Sequence, residues 1–421
     1  MKTKKTLFVI GKGVVIFIAL LLMARVFVIV WTNSSFFQWD FKRYYFTARL
    51  SLAGYNPYDT KALLALFGNA LPLKASFLYP PYTLVFFKPF SYFGLLDACH
   101  IFLAVKIIFF AGLIFLWKRN LFRESSMVYF LLFLSASVFS EGVYVDFYAG
   151  NISVMQQVLF WAGMVCFVKK RYFFSGVLLI LASSFKLFLF IPYLALFLLT
   201  GAFAYFSVFL SLFVVLLIFV FSMNPSYFDL VRNNVLSVAF VEKGHIAASS
   251  KIFFEDLLSH ASGNPLVAQY LYGVSVLFFG ACFIYVLLKN RFLLKNPNFA
   301  LVYFFILSFC LATPVLKDYE QIILMPAAYF LIDHAHRFKN YYLEIFLVII
   351  YFVLNPHHLF KLQGLGVIGR LDFSHGILYF LTSYHIFLTV FVLWIVFVCL
   401  IFKEKDGILR VQRKEEGSGG C

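Results

Sequence analysis

Charge is what this sequence has little of. Only 13% of its 421 residues are Asp, Glu, Lys or Arg, while 63% are hydrophobic and the mean hydropathy is +0.90. A soluble domain cannot bury that much apolar surface, so water-soluble folds are excluded. Acidic residues are the scarcer sign, 19 against 35 basic ones, and none precedes Asp40. Cysteine is sparse too. Cys99, Cys166, Cys282, Cys310, Cys399 and Cys421 form no CxxC and no metal-ligand spacing, which excludes a disulfide framework and a cysteine metal site. The chain has no Walker A loop, no GxSxG and no HExxH, so ATPase, serine hydrolase and zinc protease chemistry fall away. The first loop after the opening apolar run holds no DxD pair, which argues against a metal-chelated nucleotide-sugar mechanism. No metal or cofactor is expected. No internal repeat is visible, which weighs against inverted-repeat transporters.

What the chain does have is apolar runs separated by short basic clusters. A bilayer crossing takes about 20 apolar residues as a helix, and open sheets cannot satisfy their backbone in lipid, so the fold expected is an all-α polytopic bundle. The clusters around Lys4, Lys118, Lys169, Lys289, Arg337 and Lys403 are placed as the positive-inside bias places cytoplasmic loops, so the net charge reports topology rather than nucleic-acid binding. Counting an even number of crossings between clusters gives about twelve transmembrane helices. They are Leu7 to Trp31, Ala98 to Trp117, Met127 to Ser140, Ile152 to Val168, Tyr172 to Phe185, Leu187 to Leu199, Phe203 to Phe221, Leu266 to Leu288, Phe299 to Ala312, Gln321 to Ile332, Tyr341 to Leu354 and Tyr379 to Phe402. MKTKK and the first run read as a retained anchor, and EGSGGC (416–421) as a cloning scar. The whole of 1–421 is expected to be one transmembrane domain. Tyr79 to Phe93, short and carrying Lys88 and three prolines, reads either as a kinked or re-entrant segment or as a thirteenth span.

This topology puts on the outer face the first loop, 32–78, with juxtamembrane helices, the Gly150-Asn151 turn, Asn224 to Pro265, Thr313 to Glu320 and Asn355 to Ile377. Most titratable residues outside the basic clusters fall there, Asp146 and the His357-His358 pair among them. That pair lacks a third ligand at metal spacing.

Asp40 stands just beyond the first run in WDFKRYYFTARLSLAGYNPYD. Lys42, Arg43, Tyr44 and Tyr45 add cations and phenols on the next turn, a set suited to an anionic phosphate beside a carboxylate base. The plain alternative is a helix cap. GYNPYD offers a turn able to end that helix. Lys186, in SSFKLFLFIP, reads as a phosphate ligand, with a snorkelling interfacial lysine as the alternative. Asn151, followed by Ser153, Gln156 and Gln157, opens a helix whose free N–H groups suit an anion or need only a cap. Lys317, Asp318 and His245 lie in outer loops; each is a substrate contact or ordinary loop polarity.

The four blocks DFKRYYFTARLSLAGYNPYD, LYPPYTLVFFKP, YAGNISVMQQVLFW and FSGVLLILASSFKLFLFIPYL, in that order, resemble the bacterial polyprenol-phosphate-mannose-dependent α-mannosyltransferases of the GT-C superfamily. That family includes enzymes that elongate phosphatidylinositol mannosides. The resemblance implies a GT-C-like bundle and Asp40 as general base. It puts Lys186 where the family has a lysine after its small-residue helix. Where the family shows Gly-Gln and a nearby Asn, this chain has Asn151 and Ser153. The implied partners are a polyprenyl-phosphate sugar donor, a glycolipid or lipid-linked glycan acceptor and membrane lipids, with no nucleic acid. The implied setting is a bacterial inner membrane with the site facing the periplasm. Two rivals share the membrane logic. An O-antigen ligase or polymerase relies on arginines and a large late outer loop. A lipid-linked sugar flippase is expected to carry paired ionisable groups in its spans, where this reading finds few besides Lys186.

Overall fold

The computed structural model describes residues 2–67, 77, 79–138, 141–186, 191–230, 249–260, 265–314, 316–353 and 384–403. Among them every regular element is a helix. The chain separates into two compact units, one of residues 1–242 with 317–323 and one of 243–316 with 324–421.

The first unit opens with α1 (Lys2–Thr32), followed by α2 (Trp39–Leu52) and α3 (Thr60–Phe67) in the first loop. Single turns then run over Pro81–Thr83, α4 (Leu84–Phe87) and Lys88–Tyr92. Next come α5 (Leu95–Asn120), α6 (Met127–Val138), α7 (Glu141–Ala149), α8 (Ser153–Val168), α9 (Tyr172–Ser183), α10 (Ala195–Leu199), α11 (Phe203–Met223) and α12 (Pro225–Leu230). Tyr79 to Phe93 is therefore a kinked run. Pro80, Pro81 and Pro89 withhold backbone N–H donors and no continuous helix forms.

Leu95–Asn120 and Phe203–Met223 in this unit, and Leu266–Lys289 and His385–Lys403 in the other, are long and apolar enough to cross a membrane. The pair Met127–Val138 and Gly142–Ala149, bent by 53°, makes a fifth span if counted as one. Shorter apolar helices fall at Ile16–Thr32, Ser153–Val168, Tyr172–Ser183, Phe299–Ala312 and Tyr341–Phe352, each where the charge pattern calls for a crossing. Over Leu187 to Leu199 the described residues form only a 3-10 turn, Ile191–Leu194, and the five-residue α10. At about 1.5–2 Å rise per residue those nine residues fall well short of a bilayer core.

One packing arrangement positions everything that follows. α2 presents Phe41, Tyr44, Tyr45, Phe46 and Ala48 to the interior, against α5, α4 and the 88–92 turn. Phe41 stacks on Phe102 of α5 with ring centroids 4.3 Å apart and meets Phe90 edge-on at 5.5 Å. Tyr44 packs on Phe87 at 4.6 Å. Such aromatic contacts add to the area they bury, so a first-loop helix with few aliphatic residues is still firmly seated. Its C-terminus is a Schellman motif. Gly54, at φ +82°, donates to the Ser51 carbonyl, and Tyr55 donates to that of Leu50. Asn56 Oδ1 then accepts from the Tyr58 N–H, and Asp59 Oδ1 accepts from Lys61 and Ala62 at the start of α3. GYNPYD is a turn and a cap.

In the second unit Ser250–His260 packs on Pro265–Lys289, and Phe299–Ala312 packs on His385–Lys403. Asn298 caps the Phe299–Ala312 helix through Leu301 N–H, and Trp394 Nε1 donates to Ser308 Oγ at 2.9 Å.

The start of α2 docks against the turn between α7 and α8. Gln38 N–H donates to the Tyr148 carbonyl at 2.7 Å, and Gly150 sits at φ +69°. A Cβ on Gly150 would lie 2.9 Å from the Cβ atoms of both Gln38 and Phe41. Gly150→Ala therefore meets left-handed backbone and overpacking together, and should destabilise the protein by roughly 2–4 kcal/mol. Thermal unfolding in detergent checks this. A melting temperature equal to wild type would show that the turn and α2 are not in close contact.

Candidate functional site

Asp40 is the second residue of α2, inside the helix rather than at its cap. The residue before the helix is Gln38, whose side chain makes no capping bond. Asp40 is 9% exposed. A carboxylate in the first turn is favoured by the helix dipole. Its Oδ2 accepts from Asn151 Nδ2 at 2.8 Å, and Oδ1 stands 3.9 Å from the Arg43 guanidinium, too far for a hydrogen bond. No described residue donates to Oδ1, so that oxygen keeps its lone pairs beside a cation.

Helical arithmetic sorts the neighbours. Positions i+3 and i+4 from Asp40 share its face, and these are Arg43 and Tyr44. Tyr44 Oη lies 3.4 Å from Asn151 Nδ2 and shares a 2.8 Å hydrogen bond with Tyr79 Oη. Lys42 and Tyr45 point elsewhere. Lys42 Nζ donates to the Ser35 carbonyl at 2.5 Å, and burial holds its ammonium below the ordinary lysine range. Tyr45 Oη donates to the Phe93 carbonyl at 2.8 Å and accepts from Arg49. The structure brings Asp40, Arg43, Tyr44 and Asn151 together, and leaves Lys42 and Tyr45 to fasten α2.

Asn151 links this group to a second one. Its Oδ1 accepts from Ser153 N–H at 3.2 Å and from Ser153 Oγ at 2.9 Å. Ser153 Oγ in turn accepts from Lys186 Nζ at 3.2 Å, and the same ammonium pairs with Glu320 Oε1 at 3.1 Å. Glu320 Oε2 accepts the Lys317 N–H at 3.0 Å. Lys186 is thus neither snorkelling nor isolated, since it is held by a carboxylate. Lys317 joins through its backbone, and its charge acts on Lys186. Asp318 begins a 3-10 stretch, Asp318–Leu324. The start of α8 is filled by the protein's own acceptors, because Ser153 N–H also donates to Asp146 Oδ1 at 3.1 Å. Gln156 ties α8 to the Ala182 carbonyl of α9. His245 and the His357-His358 pair lie outside the described residues. Among the described residues no three His, Cys, Asp or Glu side chains converge to hold a metal ion.

Asp146, placed with the outer-face groups, is fully buried. One expectation is corrected: the spans hold more charge than expected, since Lys106, in the middle of α5, pairs with Asp146 Oδ2 at 2.7 Å, both at 0% exposure. A lysine in HIFLAVKIIFF is visible in the sequence as an expensive intramembrane charge. Glu320 and Tyr79 carried no such signal.

A model of glycosyltransferase family 87 matches residues 77–314, more than half of the chain. Asn151, Ser153, Lys106, Asp146 and Lys186 fall within the match, and Asp40 and Glu320 outside it. No curated protein and no solved structure matches.

Burial raises Tyr79 well above the ordinary tyrosine range, with the charge of Asp40 adding to the effect, and burial likewise raises Tyr58. A folded-state pKa above the unfolded value of 10.0 gives stability that is whole below pH 10 and lost as pH rises beyond it. In an alkaline titration followed by phenolate absorbance, these two tyrosines should ionise only together with unfolding. The Tyr58→Phe and Tyr79→Phe variants should each show a shallower loss of stability above pH 10. Reversible ionisation of either residue in the folded protein near pH 10 would refute the buried geometry.

Proposed function

Since the chain belongs to glycosyltransferase family 87, we propose that it is a multi-pass membrane enzyme that moves mannose from a polyprenyl-phosphate donor to a glycolipid or lipid-linked glycan acceptor. The transfer takes place at the outer face of a bacterial inner membrane, in a bundle of about twelve spans, with inversion at the anomeric carbon. Asp40 is the general base. The observation that carries this reading is the geometry of its carboxylate, with one oxygen held by Asn151, the other without a hydrogen-bond donor among the described residues, and Arg43 at 3.9 Å.

In this mechanism the acceptor hydroxyl gives its proton to Asp40 Oδ1 as its oxygen bonds to the anomeric carbon. The bond from that carbon to the phosphate oxygen breaks, and the lipid phosphate leaves with the electron pair. Lys186 and Arg43 supply fixed positive charge to the leaving phosphate, and the phosphate competes with Glu320 for the Lys186 ammonium. The phenol of Tyr44 and the loop residues Lys317, Asp318 and His245 serve sugar and acceptor binding. A flippase is less well supported, because the ion pair found inside the apolar helices, Lys106–Asp146, has both side chains at 0% exposure.

Asp40→Asn preserves shape, and its carboxamide oxygen still accepts from Asn151. Donor binding should therefore survive while transfer falls by about 10²–10⁴-fold. Donor affinity and mannose transfer measured on the same folded protein decide it, and retained transfer would remove Asp40 as the base. Lys186→Ala should cost about a hundredfold or more, since a cation facing a desolvated phosphate contributes a few kcal/mol. Turnover at the wild-type rate in that variant would reduce Lys186 to a tether for Glu320.

A further inference from the structure

The Lys106–Asp146 pair touches none of the groups assigned to substrate, yet it stands at the root of the network that reaches Asp40. One ammonium binds two oxygens of a single residue. Lys106 Nζ lies 2.7 Å from Asp146 Oδ2 and 2.5 Å from the Asp146 carbonyl oxygen. Each half of Asp146 is also an acceptor toward the α7–α8 turn. Its Oδ1 takes the Ser153 N–H at 3.1 Å, and its carbonyl takes the Asn151 N–H at 3.0 Å. Asn151 is therefore fixed at its backbone by Asp146 and at its side-chain oxygen by Ser153, and it presents Nδ2 to Asp40 at 2.8 Å.

Holding helices together does not require such a pair. Moving two charges out of water costs several kcal/mol each, and well-packed apolar side chains of the same volume commonly serve stability as well or better. What apolar side chains cannot do is orient two acceptors of one residue at once. We propose that Lys106 and Asp146 are positioning residues for the transfer reaction: they lock the α7–α8 turn so that Asn151 aims its amide at Asp40 and leaves the other carboxylate oxygen toward the acceptor. This inference rests on Asp40 being the base.

The test uses the full-length protein in lipid nanodiscs, with polyprenyl-phosphate mannose as donor. Lys106→Met leaves a buried carboxylate unpaired and can fail to fold, so the charge-balanced double variant Lys106→Met/Asp146→Asn is the deciding one. In it kcat should fall tenfold or more and the donor KM stay within about twofold. A second readout needs no turnover. The infrared difference between each background and its Asp40→Asn derivative isolates the Asp40 carboxylate stretch, and that band should shift when the pair is removed. Wild-type kcat in the double variant, or an unmoved band, overturns the inference. Failure of wild-type protein to transfer mannose overturns the proposed function instead, and the band still judges the positioning.

Discussion

A carboxamide has one acceptor end and one donor end, and in this protein a single carboxamide joins the first loop to the helical interior. The backbone N–H of Ser153 can only donate, so it fixes Oδ1 of Asn151 toward α8 and leaves Nδ2 for Asp40. A carboxylate is the matching partner, because an ionised Asp only accepts. The close approach of Gly150 to Gln38 and Phe41 and the burial of Asp40 go with that contact. If the helix rotated by one residue, Asp40 would lose Asn151 and the aromatic face of α2 would leave its seat on Phe102 and Phe87.

The electrostatics follow from scarcity. In a chain with so few acids, each one buried among the described residues of the first unit has a specific counterpart: Asp40 has Asn151 and Arg43, Asp146 has Lys106, and Glu320 has Lys186. Unpaired, any of these would cost several kcal/mol in an apolar interior. Paired and bridged through Ser153 and Asn151, they form one connected polar path through an otherwise aromatic and aliphatic unit. A path of this kind sets a carboxylate and fixed cations side by side with little reorganisation needed, which is what the proposed transfer requires.

Much of the architecture was legible in the sequence. The apolar runs fixed helix positions to within a few residues over Ala98 to Trp117, Ile152 to Val168, Phe203 to Phe221 and Phe299 to Ala312, because a helix in lipid must satisfy its own backbone and the charges bounding it are costly to bury. The prolines of Tyr79 to Phe93 announced its kinks, and GYNPYD its turn. Asp40 was legible as the first acid beyond the first run, and Lys186 as a lone cation between apolar segments.

The sequence by itself determined the class, an all-helical membrane chain, and which residues carried unusual charge. The tertiary structure alone decided their partners. Periodicity on α2 separates Arg43 and Tyr44 from Lys42 and Tyr45, but nothing along the chain says that Asn151, 111 positions away, faces Asp40. Nor does it say that Glu320 reaches back 134 positions to Lys186, or that Asp146 turns inward to Lys106. Apolar periodicity is local and repeats every turn, so it survives in the linear text. A hydrogen bond between distant polar groups is a single event with no period, and only the packing of the helices that carry those groups brings it about.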